Sequence, residues 1–486
     1  MKFIKDVGWT FSGTIGVQLI GVLLNIVLAR LLTPEIFGIV NLALIIIVFI
    51  QIVQEAGLSS ILIQRNEINK SLVTTTFYLN ITFSLILCLT IFIFAEKIAV
   101  FFGHMEVEEL LYYSIIGIFI GSLGVTFRGI LMRNRQFKTI SIINLVSELL
   151  GVVLTFIFIF YKEYTLAVGI RIMARPAFQA IFMVSVCGLK EIGGKPKLSL
   201  LKEIMPFSSS VLGIKTINYI KNNIDYLFIG RMLGSQSLGI YTLAFQWSTI
   251  AKFYISGSIA KVLLPEISKN QNDIESVKRI FIKVIRQVSF VIFPFCIGLT
   301  LLAPEFILVV YGQQWESAIP ILRILMVAGL LTSFSTIIGR VYEGLGKPSI
   351  ELKITAISII AFLPLLFVGS FFGLIGIAYA VLLHSAIFDI ILMVRVLRIL
   401  NMSIRSFILS FKSVFYSMLC VVIFYFIIHH LFFTDNFTAF SLVLLLLIQI
   451  ILYILASLIF NKSTIITLYN SIYRKLSFRK EVKKPT

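Results

Sequence analysis

Long apolar runs alternate with short polar interruptions from one end of the chain to the other, and the runs have the length of membrane helices rather than core strands. A helix needs roughly 20 mostly apolar residues to cross a ~30 Å hydrocarbon core. The pattern predicts fourteen such spans, at 8–32, 38–62, 73–95, 110–132, 140–161, 165–188, 206–230, 239–264, 287–311, 318–341, 353–371, 374–396, 412–432 and 438–460. The gaps between them are too short for a soluble domain, so the expected fold is all-α, an integral membrane protein of fourteen transmembrane helices. The first span is too long for a removable signal peptide and is expected to stay in the mature protein.

Composition agrees: 58% of the 486 residues are hydrophobic and only 13% are charged, with a mean hydropathy of +1.00. Such a balance excludes a soluble enzyme. The net charge of +19, from 42 Lys and Arg against 23 Asp and Glu, changes the picture only once the charges are placed. With the amino terminus in the cytoplasm, about 32 of the 42 basic residues fall in cytoplasmic loops, span ends and the carboxyl-terminal tail. This is the positive-inside rule, so the charge orients helices and implies no nucleic-acid partner. Two basic stretches, 272–287 and 462–484, also carry apolar residues at helical spacing, which suits helices lying on an anionic leaflet as well as simple topogenic charge.

The four cysteines (Cys88, Cys187, Cys296, Cys420) fall in four different spans without a CxxC pair, and read as small core hydrophobes. The four histidines (His104, His384, His429, His430) show no ligand spacing. No metal site and no cofactor are expected. The string Gly344 to Ser349, GLGKPS, lacks the upstream glycine of a phosphate-binding loop and has Pro after Lys, which excludes ATP hydrolysis by this chain.

The chain also resembles itself. RLLTPEIFGIVNLA (Arg30 to Ala43) aligns at an offset of 201 residues with RMLGSQSLGIYTLA (Arg231 to Ala244), six of fourteen positions being identical. Both copies lie at the outer junction of an odd-to-even helix pair. Two six-helix lobes follow, residues 1–188 and 206–396, joined by a cytoplasmic linker at 189–205, with spans 13 and 14 at 397–460 and a basic tail at 461–486. Repeats of this kind are a transporter signature and place the substrate at the repeat interface.

Charges within the spans point to the chemistry, because a cation at the bilayer centre is costly and normally faces water or a partner. Arg171 and Arg175 are four apart on span 6, hence on one face. On span 7, Lys215, Asn218, Asn222 and Asp225 are spaced three, four and three, within about 80° of arc, with Lys221 beside them. Span 8 adds Lys252. Five cations on three consecutive helices face one nearby acid, Asp225, which leaves an expected excess near +4 that calls for an anion. Arg171, Arg175, Lys215, Lys221 and Lys252 are therefore the expected anion-binding residues. Glu55, Glu148 and Asp389 are read as lying one to two turns from the cytoplasmic face, to pair with Arg128, Arg340 or Arg395. Asp225, Glu55 and Asp389 are also candidate coupling acids.

The strings NIDYLFIGRMLGSQSLGIYTLAF (Asn223 to Phe245), ARLLTPEIFGIVNLAL and QEAGLSSILIQR (Gln54 to Arg65) resemble the polysaccharide transporter branch of the multidrug/oligosaccharidyl-lipid/polysaccharide superfamily, which includes Wzx-type O-antigen and capsule flippases and teichuronic or colanic acid exporters. The resemblance covers essentially the whole chain. It implies a two-lobed, V-shaped bundle in the bacterial cytoplasmic membrane, both termini cytoplasmic, that flips an undecaprenyl-pyrophosphate-linked oligosaccharide to the outer leaflet by alternating access through a cationic central cavity. Polysaccharide polymerase and glycosyltransferases are the implied protein partners. A pyrophosphate is an anion that Arg can contact bidentately and Lys as a point charge. Asn218, Asn222, Tyr219, Gln179, Trp247 and Tyr254 are available to line a sugar path. Against this reading stand a peptidoglycan-precursor flippase, also with fourteen spans; a drug/cation antiporter, which calls for an acidic cavity; and a membrane polymerase or ligase, disfavoured by short outer loops.

Overall fold

In the computed structural model the backbone is described for residues 2–55, 58–65, 67–432, 438–462 and 466, and side chains from Gly8 onward within these except at 64, 203, 258, 261 and 429–432. The side chains of His429 and His430 and nearly all of the basic tail thus lie outside what the structure describes. Eleven helices among the described residues are long and apolar enough to cross a membrane.

The elements divide into two compact units, residues 1–239 and 240–486. The first unit holds α1 (Lys2–Leu31), α2 (Pro34–Glu55), α3 (Leu58–Gln64), α4 (Lys70–Phe102), α5 (Glu106–Arg133), α6 (Phe137–Phe160), α7 (Tyr164–Cys187), α8 (Leu201–Met232) and the start of α9 (Gly234–Ile250). The span at 206–230, assigned from the repeat to the second lobe, is α8, and by its contacts it groups with the first unit. α8 is not among the eleven apolar helices because Lys215, Asn218, Lys221, Asn222, Asn223 and Asp225 run through its middle.

Between lipid and a protein interior there is little hydrophobic gain, so membrane helices associate through close packing of small residues and satisfied polar groups. α5 and α7 show this. Gly117, Gly121 and Gly124 present a bare stripe on α5, where an added Cβ would stand 2.6 Å from the Ile172 carbonyl oxygen and 2.7 Å from Ala180 Cα. Pro176 lies inside α7 and offers no N–H to the Ile172 carbonyl one turn back, and that carbonyl is the one against Gly117. An apolar core from α3, α4, α5, α6, α7 and the start of α8, with Phe127, Leu62 and Ile204 fully buried, joins these helices.

The two copies of the repeat meet within this unit. A Cβ on Gly38 would stand 1.8 Å from the Ser235 backbone oxygen, and one on Gly239 would stand 2.0 Å from the Pro34 backbone oxygen. Pro34 and Ser235 are themselves equivalent positions of the repeat, so the contact is reciprocal, as about a local two-fold axis.

In the second unit α9 continues through a π-helical turn (Ala251–Ser256) into α10 (Gly257–Lys269). Then follow α11 (Ile274–Leu301), α12 (Ala303–Phe306), α13 (Ala318–Gly344), α14 (Pro348–Ser370), α15 (Gly373–Ile399), α16 (Ile404–Leu409), α17 (Lys412–Phe432) and α18 (Ala439–Phe460). The GLGKPS string is the turn between α13 and α14, with Gly346 at φ 70° and Pro348 in the first turn of α14. The amphipathic stretch 272–287 does not rest on a leaflet by its apolar face. Asp273 caps α11 by accepting a hydrogen bond from the Ser276 backbone N–H, and Val277, Phe281, Ile285 and Val288 form a stripe that is fully buried in protein. The Phe281 ring stacks on Phe407 of α16.

Candidate functional site

A cavity of about 400 Å³ opens between α2, α5 and α7 of the first unit. Its walls carry Glu55, Gln51 and Gln54 from α2, Arg128 from α5, and Arg171, Arg175 and Gln179 from α7, among aliphatic residues and the α5 glycines. Helical spacing explains the convergence: Arg171, Arg175 and Gln179 succeed one another by four, and Gly121 and Gly124, three apart, are each followed four residues on by Val125 and Arg128, so each set shares a face. Gln54, buried, donates to the Ile118 carbonyl of α5 at 2.7 Å, which fixes α2 at the wall.

The charges pair differently from expectation. Glu148 is buried on α6 and serves both arginines, with Oε1 2.5 Å from Nη2 of Arg171 and Oε2 2.8 Å from Nε of Arg175. Glu55 accepts from Lys215 Nζ at 2.7 Å and from the Ser59 hydroxyl. Thus Arg171, Arg175 and Lys215 do have carboxylate partners, and the inference that Asp225 is the only acid near them is corrected. Depth is the reason. Glu148 is the twelfth of the 24 residues of α6 and Arg175 the twelfth of the 24 residues of α7, so the two sit at the same level half-way along antiparallel neighbours, not one or two turns from a helix end. One turn away, Gln179 donates to the Asn144 side-chain oxygen at 3.2 Å, which extends the polar ladder between α6 and α7.

With Arg128, Arg171, Arg175 and Lys215 set against Glu55 and Glu148, the group carries four cations and two carboxylates, a net charge of +2; the expected +4 was a sum over another set, with Lys221, Lys252 and Asp225 and without Arg128, Glu55 and Glu148. Arg128, read from the sequence only as a pairing partner for acids, has no hydrogen-bond or ion-pair partner among the described residues. Its signal in the sequence was its register with Gly121 and Gly124 on span 4.

The remaining expected residues divide. On α8, Tyr219 donates its hydroxyl to the Ile45 carbonyl of α2 at 2.6 Å, and Asp225 is buried. Asn218 and Asn222 are exposed and turn their amides back to their own helix, onto the carbonyls of Ile214 and Asn218. Lys221 is half-buried on the same helix. Trp247, Lys252 and Asp389 belong to the second unit. Trp247 Nε1 donates to the Tyr311 hydroxyl at 2.8 Å and packs edge-on against Phe306. Lys252 lies in the π-helical turn, its ammonium 5.2 Å from the Phe253 ring centroid. Among the described residues no cluster of His, Cys, Asp and Glu is able to hold a metal.

Stacked apolar helices around a charged cavity define the class, a multi-pass helical membrane protein with a transporter fold. The fold is similar to that of the solved lipid II flippase MurJ in an inward closed conformation (TM-score 0.75, 18% identity, 94% of this chain and 99% of that chain). It is similar also to an inward-facing multidrug resistance MATE family transporter of the MOP superfamily (TM-score 0.57, 19% identity, 81% of this chain and 94% of that chain). Residues 27–320 match the family described as polysaccharide biosynthesis protein, and the chain belongs to that family. Relatives include the lipopolysaccharide biosynthesis protein WzxC of Escherichia coli K12, 26% identical over 85% of both chains. The teichuronic acid biosynthesis protein TuaB of Bacillus subtilis 168 is 28% identical over 66% of this chain and 67% of its own.

Proposed function

We propose that the protein flips a lipid-linked oligosaccharide, joined to its undecaprenyl carrier through pyrophosphate, from the cytoplasmic to the outer leaflet of the bacterial cytoplasmic membrane for surface polysaccharide synthesis. The observation that carries this reading is the cavity of the first unit, whose charged group has an excess of two positive charges. A pyrophosphate diester bears one negative charge on each phosphoryl group, which matches that excess. Arg forks suit phosphoryl oxygens, and Gln51, Gln54 and Gln179 offer amides to sugar hydroxyls. An acidic cavity, as cation export calls for, is not what the wall supplies.

In this reading α8, the continuous helix at 234–269 and α17 cross the membrane with the eleven apolar helices, which makes fourteen crossings with both termini cytoplasmic. The repeat gives two six-helix lobes and two appended helices. Lys221 and Lys252 extend the cationic path, Trp247, Tyr219, Asn218 and Asn222 serve the glycan, and Asp225 or Asp389 serves any ion coupling. Polymerase and glycosyltransferases hand substrate on and in. No bond is made or broken, and the protein acts by alternating access.

Because Lys215 and Arg175 have carboxylate partners, single alanine variants confound substrate binding with an orphaned acid. The cleaner test is the neutral pair Glu55→Gln with Lys215→Met, which removes both charges together. It is expected to accumulate as the parent protein does and to abolish surface polymer, as Arg175→Ala and Lys252→Ala also should, while Lys215→Arg retains part of it. Normal polymer in the neutral double variant would remove Lys215 from the transport path.

A further inference from the structure

Of the four cations around the cavity, three are occupied. Arg171 and Arg175 share Glu148, and Lys215 is held by Glu55. Arg128 alone among them reaches the cavity with no hydrogen-bond or ion-pair partner among the described residues, and its side chain is exposed. We infer that Arg128 is the residue on which the cavity first receives a phosphate group, and that Glu55 is a resident anion the phosphate displaces to reach Lys215. The inference rests on the flippase reading of the same cavity and names the order in which its cations are used.

Three observations support it. Arg128 shares its helix face with Gly121, Gly124 and Val125, all of which line the cavity, so its direction is set by register and not by a chance rotamer. It lies five residues before the last residue of α5, Arg133, closer to a helix end than Arg175 and Glu148, which sit half-way along α7 and α6. A guanidinium without an internal acceptor keeps all five N–H donors for a ligand, whereas the others must first exchange a carboxylate. The two carboxylates also differ. Glu148 is 1% exposed and gripped by two arginines, but the Glu55 side chain is 30% exposed and forms its one ion pair with Lys215, with the Ser59 hydroxyl donating to it and the Arg128 charge nearby. Glu55 is the one a competing anion can replace.

The test is binding of radiolabelled farnesyl pyrophosphate to the purified full-length chain in detergent, with inorganic pyrophosphate and farnesol as competitors. Arg128→Ala is expected to weaken binding about tenfold, the loss of hydrogen bonds to a charged group, and Arg128→Lys to fall between, since a point charge lacks the fork. Removing Arg128 orphans no carboxylate, so the variant keeps its fold. Glu55→Gln is expected to tighten binding about threefold, because a site partly held by its own anion binds with a reduced apparent affinity. Inorganic pyrophosphate should compete and farnesol should not. Unchanged affinity in Arg128→Ala, with the parent protein binding normally, makes Arg128 a topogenic surface charge and overturns the inference. Weaker binding in Glu55→Gln overturns the displacement. A parent protein that binds no farnesyl pyrophosphate, or binds farnesol equally, overturns the phosphate-site reading itself and the inference with it.

Discussion

Replacing Glu148 by glutamine is expected to lower the amount of folded protein in the membrane sharply and to depress its melting temperature in detergent. The carboxylate is 1% exposed and is the shared counter-charge of Arg171 and Arg175, whose side chains are 20% and 39% exposed. Breaking a buried pair from one side leaves an uncompensated charge and costs about 3–5 kcal/mol, a large fraction of a typical stability. Here two guanidiniums lose the same partner half-way along their helix, where solvent is scarce. Arg175, the more exposed, can turn toward the cavity, so the penalty falls mainly on Arg171. Glu148→Asp keeps the charge on a shorter stem and should be intermediate, and pairing Glu148→Gln with Arg171→Gln should recover part of the loss. If Glu148→Gln accumulates and melts like the parent protein, the two arginines are not held by that carboxylate.

Gly239→Leu is expected to be comparably severe, and Gly38→Leu likewise. At both positions the atom that meets an added Cβ is backbone oxygen, 1.8 Å away for Gly38 and 2.0 Å for Gly239, so no rotamer change relieves the clash and α2 and α9 must separate. Overpacking costs typically 1–3 kcal/mol when side chains yield, and more is expected where only a helix displacement helps. Even Gly239→Ala should lose surface polymer. Gly213 on α8, with nothing within 4 Å of its added Cβ, is the internal control: Gly213→Ala should be tolerated, helped by the better helix propensity of alanine. Equal polymer levels in the Gly239 and Gly213 alanine variants would show that the crossing can open without loss.

Much of the fold was legible before any coordinates. Apolar runs of membrane length located most of the helices to within about seven residues, because helix formation in lipid is enforced by the backbone's need for internal hydrogen bonds; the exception is the span at 287–311, whose helix α11 runs from Ile274 to Leu301 because its first turns are amphipathic and bury their apolar stripe in protein. The runs at 206–230 and 239–264 were the hard cases. α8 carries polar residues through its centre, and its neighbour contains a π-helical turn, so neither meets a plain apolar criterion. The stretch at 272–287 shows the same limit from the other side: its basic and apolar faces are visible in the periodicity, but whether lipid or α16 covers the apolar face is not.

The cation site was half legible. The spacing of Arg171 and Arg175 put them on one face, and the structure keeps them there around one cavity that Gln179 also lines. Their partners were not legible, nor was the accessibility of Arg128. The sequence alone determined that this is a many-helix membrane protein with an internal repeat, a large basic excess and a few cations within its helices. Periodicity assigns each side chain to a face of its own helix, which is a local property. The tertiary structure decided which faces meet: Glu148 against α7, Glu55 against Lys215 160 residues away, and Gly38 against its counterpart in the second copy of the repeat. Such pairings depend on how helices pack and at what depth each side chain sits, and neither quantity is written in the spacing of a single helix.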